Sequence, residues 1–277
     1  MSTHRQTRTN VAALTISGLL GLGALAGCTG GGAAPTAATA SAVPTRSVPP
    51  AQRPPAASVA KSAPAVLSGA LAALRSGVAV HTDVTDSTTN GSLTYSDDST
   101  ASGGRQVITI DGAGHVTILF IAGVGYVQAD AKGLEGVFAV PEAQAGQFAG
   151  QWIALRPGDK LGSSTYDDVT AGITLSSVAS ELEQSGTLTL SPAATVAGQR
   201  VLGVQAPLPA SDQLPATARN VLYVTDNALL RPVESEVTGA GSYKYDMTFT
   251  RWGETLHLSA PANAIPASDV TPATSIT

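Results

Sequence analysis

The stretch Ser242-Tyr243-Lys244-Tyr245-Asp246-Met247-Thr248-Phe249-Thr250 decides the fold class, because it alternates large apolar with polar side chains over nine residues. Such alternation predicts a β-strand with one face toward an apolar interior and the other toward water. Similar stretches occur on both sides of the chain's centre. We therefore predict a sheet that is mostly antiparallel, with one face covered by other elements.

The N-terminal half of this domain supplies one helix and then a meander of strands. Helical spacing of apolar residues over 63–74 predicts the helix, and strands are expected near 78–85, 93–95, 106–110, 116–121 and 124–128. The segment Val116–Ile121 is apolar at nearly every position, so we expect cover on both of its faces. Carboxylate pairs at Asp97-Asp98 and Asp167-Asp168 are expected in loops.

The C-terminal half has helical patterns at 141–148 and 175–182. Further strands are predicted over 187–190, 200–205, 220–225, 229–237, 243–249 and 255–259. About 10–11 strands with a few helices, lacking regular strand–helix alternation, indicate an α+β fold. The simplest arrangement is a large curved antiparallel sheet with helices on its concave face.

A second feature is the N-terminus, where Arg5 and Arg8 precede an apolar run that ends in Leu25-Ala26-Gly27-Cys28. This layout is typical of a secretory signal peptide over residues 1–27. The small residues before the only cysteine resemble the lipobox of bacterial lipoproteins, in which the thiol receives a lipid and the cysteine becomes the new N-terminus. The alternatives are that Cys28 is an ordinary residue of an uncleaved anchor, or is lost with the signal peptide.

Residues 28–61 are rich in Ala, Pro, Thr and Ser and predict a disordered linker, and residues 62–277 are predicted to form the domain, with a short disordered tail from about 266. From residue 62 onward the chain has ten basic and twenty acidic residues. This charge argues against nucleic acid as a partner. The low charged fraction with much Ala and Gly is a composition associated with exported proteins of actinobacteria.

Three short strings resemble elements of the LppX/LprG-like lipoproteins of actinobacteria: Gly150-Gln151-Trp152, Asn220–Val224 with Leu230-Arg231-Pro232-Val233, and Phe249-Thr250-Arg251-Trp252-Gly253. The resemblance runs over about residues 62–265. It implies a LolA-like half-barrel with an apolar cavity that takes acyl chains, hence a carrier for lipid or lipoglycan cargo in envelope transport.

The large apolar side chains allow two interpretations, plain core packing or the lining of a cavity. The candidate lining residues are Val116, Ile118, Phe120, Tyr126, Phe148, Trp152, Tyr243, Met247 and Phe249. A cavity of this kind favours long acyl chains, because each buried methylene contributes about 0.8 kcal/mol.

No motif of a nucleophilic, metal-dependent or nucleotide-dependent enzyme stands out, so we predict a protein that is not an enzyme and needs no cofactor or metal. The principal hypothesis is a monomeric, lipid-binding transport lipoprotein, held by acyl chains such as palmitate on Cys28 at the outer face of the cell membrane. The alternatives are an interaction or sensor lipoprotein that binds a partner protein, and a hydrolase. A His and a carboxylate within hydrogen-bonding reach of Ser or Thr would favour the hydrolase.

Overall fold

A computed structural model of the chain describes residues 61–88, 91–112, 114–209 and 214–270. The predicted signal peptide, Cys28 and the linker lie outside the described residues, so those expectations stay predictions. Five strands in a row follow a single N-terminal helix, and most of the remaining helices fall in the middle of the chain, between the fifth strand and the ninth.

The structure describes six short helices, and four of them begin at a residue whose side chain accepts a hydrogen bond from the first turn. The longest, α1, begins after Ser62, whose hydroxyl accepts a hydrogen bond from the Ala65 amide at 3.4 Å. Its buried residues recur every three or four positions, which gives it one apolar face. The helices are α1 (Ala63–Arg75), α2 (Ala131–Phe138), α3 (Glu142–Phe148), α4 (Tyr166–Thr170), α5 (Leu175–Glu181) and α6 (Ala267–Val270).

Fifteen strands are described, more than the 10–11 predicted, because several contain only two to four residues and carry too little pattern to be recognised. They are β1 (Ala79–Thr88), β2 (Gly91–Thr100), β3 (Gly104–Ile110), β4 (Gly114–Ile121), β5 (Val124–Ala129), β6 (Trp152–Leu155), β7 (Lys160–Leu161), β8 (Ser164–Thr165), β9 (Thr189–Leu190), β10 (Ala194–Val196), β11 (Gln199–Pro207), β12 (Arg219–Thr225), β13 (Pro232–Thr238), β14 (Lys244–Thr250) and β15 (Ile265–Pro266).

Thirteen of these strands form one open sheet, which confirms the predicted fold class. The order is β10-β11-β12-β13-β14-β1-β2-β3-β4-β5-β6-β15, with β9 also paired to β11. All pairs are antiparallel except β6 with β15. The pairing of β1 with β14 joins the first described strand to one near the C-terminal end of the chain. That non-local pairing places the Met247 strand at the centre of the sheet.

The concave face of the sheet carries two separate apolar clusters. The first cluster joins α1 and α5 to β1, β11, β12 and β14, through residues such as Leu74, Leu175 and Met247. The second cluster joins α2, α3, α4 and α6 to β4, β5 and β6, through residues such as Leu134 and Ile153. Each cluster buries one set of helices against one half of the sheet.

Three expectations differ from the structure. The predicted strand 255–259 is irregular chain, because its weak alternation of Leu256 and Leu258 finds no ladder partner among the described strands. The prediction that other elements cover both faces of Val116–Ile121 was wrong. Val116 and Ile118 are buried, whereas Leu119 and Ile121 on the outer face are half-exposed. The fold also extends past residue 266, because α6 buries Ala267 and Val270 completely in the second cluster.

Candidate binding groove

A groove lies on the concave face over β2 and β3, between the two clusters. It is visible along one cross-strand row, in which Met247, Val84, Tyr95, Ile108 and Val116 are successive partners on β14, β1, β2, β3 and β4. The outer members of the row are buried, but Tyr95 and Ile108 in the middle are half-exposed. We call this surface the central groove; its floor consists of Leu93, Tyr95, Asp97, Gln106, Ile108 and Ile110.

One end of the central groove is closed by the segment between α4 and α5. Thr174 forms a bridge to Thr100 at the end of β2, and Ile173 lies against Gly104 at the start of β3. A Cβ atom at Gly104 would lie 2.5 Å from the Ile173 carbonyl oxygen, so only glycine permits this crossing. The apolar residues Leu93 and Ile110 lie at the opposite end of the floor.

Near the closed end, the floor is polar. Asp97 is only 2% exposed, and its Oδ2 accepts a 3.5 Å hydrogen bond from the Thr82 hydroxyl. Its Oδ1 has no partner among the described residues, and neither has the hydroxyl of the fully buried Ser99. Burial raises the pKa of Asp97 to about 8, in spite of hydrogen bonds from Gln106 and Thr82.

Three tyrosines and two further carboxyl groups line the groove, and of these Tyr243 and Asp86 lie at its other end, where Asp86 pairs with Leu93. The phenols of Tyr95 and Tyr245 are hydrogen-bonded to each other, and burial raises the pKa of both. Tyr243 is hydrogen-bonded to Asp86, and burial raises its pKa to about 12. Glu181 is the last residue of α5; although water reaches its side chain, the surrounding protein raises its pKa to about 7. The groove is therefore acidic as well as aromatic.

The structure divides the residues predicted to line one cavity. Met247 and Phe249 belong to the first cluster, and Tyr243 lies beside Asp86 just before β14. Val116, Ile118, Phe120 and Phe148 belong to or pack against the second cluster. Buried positions such as Met247, 1% exposed, and Ile118, 3% exposed, are closely packed core rather than open floor.

Tyr126 and Trp152 were predicted on the same lining, and the register corrects this. Val127 pairs with Ile118 on the concave face, so Tyr126, its neighbour in β5, points to the outer face. Trp152 pairs with Gln128 on that same outer face. A one-residue step along a strand reverses the direction of the side chain, which composition and clustering of aromatics do not reveal.

Sequence reasoning missed most of the groove floor. Leu93, Tyr95 and Asp97 alternate with Thr94, Ser96 and Asp98 along β2, and this pattern was available to find them. The Asp97-Asp98 pair was expected in a loop, but it lies in β2, with the two carboxyl groups on opposite faces. Asp167 and Asp168, also expected in a loop, are in the first turn of α4.

On the outer face, Ser96, His81 and Asp98 form the contact pattern expected of a hydrolase. The Ser96 hydroxyl lies 3.4 Å from His81 Nε2, and His81 Nδ1 lies 2.7 Å from Asp98 Oδ1. However, Asp83 Oδ2 is nearer to the same Nε2, at 3.2 Å. A carboxylate accepts hydrogen bonds, so Nε2 donates to Asp83 and does not accept the Ser96 proton, as a general base must.

Arg251 further occupies this outer-face cluster, because its guanidinium donates to Asp98 Oδ1 at 3.0 Å and also contacts His81 Nδ1. Ser96 lies in the middle of β2, between partners on β1 and β3, rather than on a strained turn with free amide groups. Ser96 lines a depression of about 310 Å³ together with residues that include Asp83, Thr94 and Thr109. The cluster is a polar network of the sheet surface.

Another cavity of about 310 Å³ lies at the end of α1, between Gly77, Leu229, Arg231 and Trp252. Two apolar residues are unusually exposed here, Val78 at 68% and Leu229 at 57%. The Arg231 guanidinium lies 5.3 Å from the centre of the Trp252 ring. Within the described ranges, no helix is long and apolar enough to cross a membrane, and no group of three or more metal-binding side chains is gathered.

Comparison with known proteins finds similarity in structure only. No protein-family model matches the sequence, and no curated protein matches it either. The lipoprotein LppX of Mycobacterium tuberculosis covers 71% of this chain and 99% of its own, with 14% identity and a TM-score of 0.45. LprF of Mycobacterium bovis covers 72% of this chain and 97% of its own, with 14% identity and a TM-score of 0.45. A LolA superfamily protein of Nitrosomonas europaea covers 72% of this chain and 96% of its own, with 11% identity and a TM-score of 0.25.

The first of these proteins, LppX, belongs to the group that the sequence resembles. The likeness is one of fold: a large, open, mostly antiparallel sheet with helices on its concave face.

Proposed function

We propose that this protein is a non-enzymatic carrier that binds the acyl chains of a lipid, or of another acylated molecule, in the central groove. The observation that carries the proposal is the half-exposed apolar floor of β2 and β3. Ile108 remains partly exposed, although Val84 and Val116 of the same cross-strand row are buried. Leu93 and Ile110, in the next row, are partly exposed as well. An apolar, concave surface flanked by a few polar groups is the usual form of a small-molecule site.

Apolar burial supplies the binding free energy in this proposal. Each methylene transferred from water to the groove contributes about 0.8 kcal/mol, and part of this gain offsets the lost freedom of the ligand. A chain of about twelve carbons gains about 10 kcal/mol when fully covered, and after a cost of at least about 4 kcal/mol we expect a Kd on the order of 0.1 mM. No covalent step is required, which agrees with a Ser96–His81–Asp98 network whose Nε2 faces Asp83.

The place of action that we propose is the outer face of the cell membrane, in envelope transport. The predicted lipid on Cys28 would hold the chain there, and the predicted linker 28–61 would carry the domain away from the membrane surface. More than one acyl chain on a residue exceeds the marginal binding that a single chain gives. We propose that the domain acts as a monomer, with lipid or lipoglycan as cargo.

A pair of variants on one strand tests the carrier. Ile108→Asp places a charge on the groove floor, and Val107→Asp places the same charge on the outer face of β3, one residue away. We expect Ile108→Asp to reduce uptake of a fluorescent fatty alcohol at least about tenfold, because a charge beside an acyl chain is poorly solvated. Val107→Asp should bind like the wild type, since water solvates its charge.

Thermal melting of both variants accompanies the binding assay, so that loss of the groove is separated from loss of the fold. Equal binding by Ile108→Asp and the wild type would place the lipid elsewhere. If the wild type binds no acyl chain, the carrier proposal fails. The exposed Val78 and Leu229 beside Trp252 would then favour the second candidate, an interaction or sensor lipoprotein that binds a partner protein there.

A further inference from the structure

The polar part of the central groove contains acceptors in excess of donors. Asp97 Oδ1 has no partner among the described residues although Asp97 is 2% exposed. Glu181 approaches the same region closely enough that its negative charge acts on Asp97, Tyr95 and Tyr245. Its Oε1 lies beside Gly172, 2.7 Å from where a Cβ atom would be. Glu181 therefore lies against the segment that closes the groove, and Asp97 lies on the floor near that closed end.

Basic side chains are absent from the concave face of the five strands that build the groove, β14, β1, β2, β3 and β4. The described residues of that face are apolar, hydroxyl-bearing, amide or acidic. Lys244 and Arg105, which belong to these strands, lie in register with outer-face residues: Lys244 pairs with Ser87, and Arg105 pairs with Asp98. Phosphate and carboxylate groups are bound in proteins mainly by Arg, Lys and free amides, and the concave face of these strands offers no Arg or Lys.

We propose that the central groove selects an amphiphile whose polar group donates hydrogen bonds and carries no negative charge, an amine or hydroxyl rather than a phosphate or carboxylate, and that Asp97 and Glu181 accept from it. This inference rests on the proposed function, since the same ligand places its chain on Leu93, Ile108 and Ile110. Above about pH 8, where Asp97 and Glu181 have both released their protons, an anionic group at that position would meet two carboxylates without a counter-charge, which is costly in a partly dry site.

Because Asp97 is nearly buried, the ligand's polar group meets Glu181 first and Asp97 second. Glu181 is open to water at the end of α5, and Asp97 lies beneath on the floor of β2. A donor that reaches Asp97 Oδ1 satisfies an acceptor that otherwise has no partner, and such unpaired buried groups are expensive. The ligand therefore completes the hydrogen bonding of the groove.

Three probes of equal chain length test the proposal: dodecylamine, dodecanol and dodecanoate. Each displaces an uncharged fluorescent dye, N-phenyl-1-naphthylamine, from the full chain at about pH 9, where Asp97 and Glu181 are both ionised. We expect the amine and the alcohol to bind at least about tenfold more tightly than dodecanoate. Asp97→Asn and Glu181→Gln should each reduce the preference for the amine over dodecanoate by about threefold or more, while leaving dodecanol binding nearly unchanged.

Asp83→Asn is the matched control, because it removes a carboxyl group from the outer face of the same sheet, where Asp83 pairs with Ser96. The control should keep the wild-type preference. Dodecanoate binding as tight as dodecylamine, or a preference that survives in both Asp97→Asn and Glu181→Gln, would overturn the headgroup inference while the carrier stands. Failure of all three probes would instead reject the carrier itself.

Discussion

At the scale of single residues, Asp97 is the most unusual group of the described structure. It belongs to a strand face that is otherwise apolar or hydroxyl-bearing, and it lies in the row Phe249, Thr82, Asp97 and Gln106. Burial raises its pKa to about 8, so the native protein holds its proton at neutral pH. A carboxyl group of this kind lowers the stability of the fold at pH values where the unfolded chain has released the proton.

We predict that Asp97→Asn flattens the pH dependence of stability. From the ordinary value of 3.8 up to about 8, the native carboxyl keeps a proton that the unfolded chain has released. The free energy of unfolding of the wild type should therefore fall with rising pH, by at most about 1.4 kcal/mol per pH unit from this group. Asn does not ionise, so the variant loses this slope.

Denaturant unfolding of both proteins at pH 5, 6, 7 and 8 measures the effect. The free energy of unfolding of the variant, relative to that of the wild type, should increase steadily across this range, and the variant should be the more stable protein at pH 8. Asp83→Asn on the outer face serves as the control and should follow the wild-type slope. Parallel curves for Asp97→Asn and the wild type would mean that Asp97 is ionised in the native state.

At the scale of elements, the C-terminal end of the described chain supports the second cluster. β15 adds to the sheet edge by pairing in parallel with β6, through Ile265 with Ile153. The next turn, α6, places Ala267 and Val270 at 0% exposure among residues of β4, β5 and β6. This short element closes the edge of the sheet beyond the groove, and it makes the terminus part of the fold.

We predict that Val270→Asp lowers the melting temperature by at least several degrees, because it buries an unpaired charge. Ser268→Asp introduces the same residue two positions earlier on the exposed side of α6 and should change the melting temperature by about one degree or less. Differential scanning calorimetry of both variants measures this. Equal melting temperatures for the two would show that α6 contributes nothing to the core in solution.

At the scale of the whole molecule, we predict that the anchor on Cys28 and the folded domain act independently. The described fold begins at Lys61, where the ammonium group binds Asp226 at 3.1 Å, and each cluster is built from residues after that point. Cys28 lies more than thirty residues earlier in the sequence. Changes at the cysteine should therefore affect attachment to the membrane and leave the groove intact.

We predict that Cys28→Ser, made in the full chain and expressed in a lipoprotein-processing bacterium, abolishes incorporation of a palmitate analogue and releases the protein from the membrane fraction. Dodecanol binding and the melting temperature should equal those of the wild type. The matched control is a conservative change in the linker, Ser41→Thr, which should still label. Continued labelling of Cys28→Ser would contradict lipidation at this residue.

The sequence by itself determined most of the longer elements and the fold class. Alternation such as Tyr245, Met247 and Phe249 against Lys244, Asp246 and Thr248 fixes a strand and its buried face, because side chains of a strand alternate whatever its neighbours are. Helical spacing in the same way fixed α1. These are properties of a few consecutive residues, so they are legible in the chain alone.

Only the tertiary structure decided which faces share a space. The pairing of β1 with β14 and the division of the helices between two clusters leave Leu93 and Ile108 open, whereas Met247 and Ile118 are buried and Tyr126 and Trp152 point outward. Strand order and helix placement depend on contacts between residues far apart in sequence. No local pattern contains that information, so the candidate site emerged from the fold and not from its most conspicuous apolar residues.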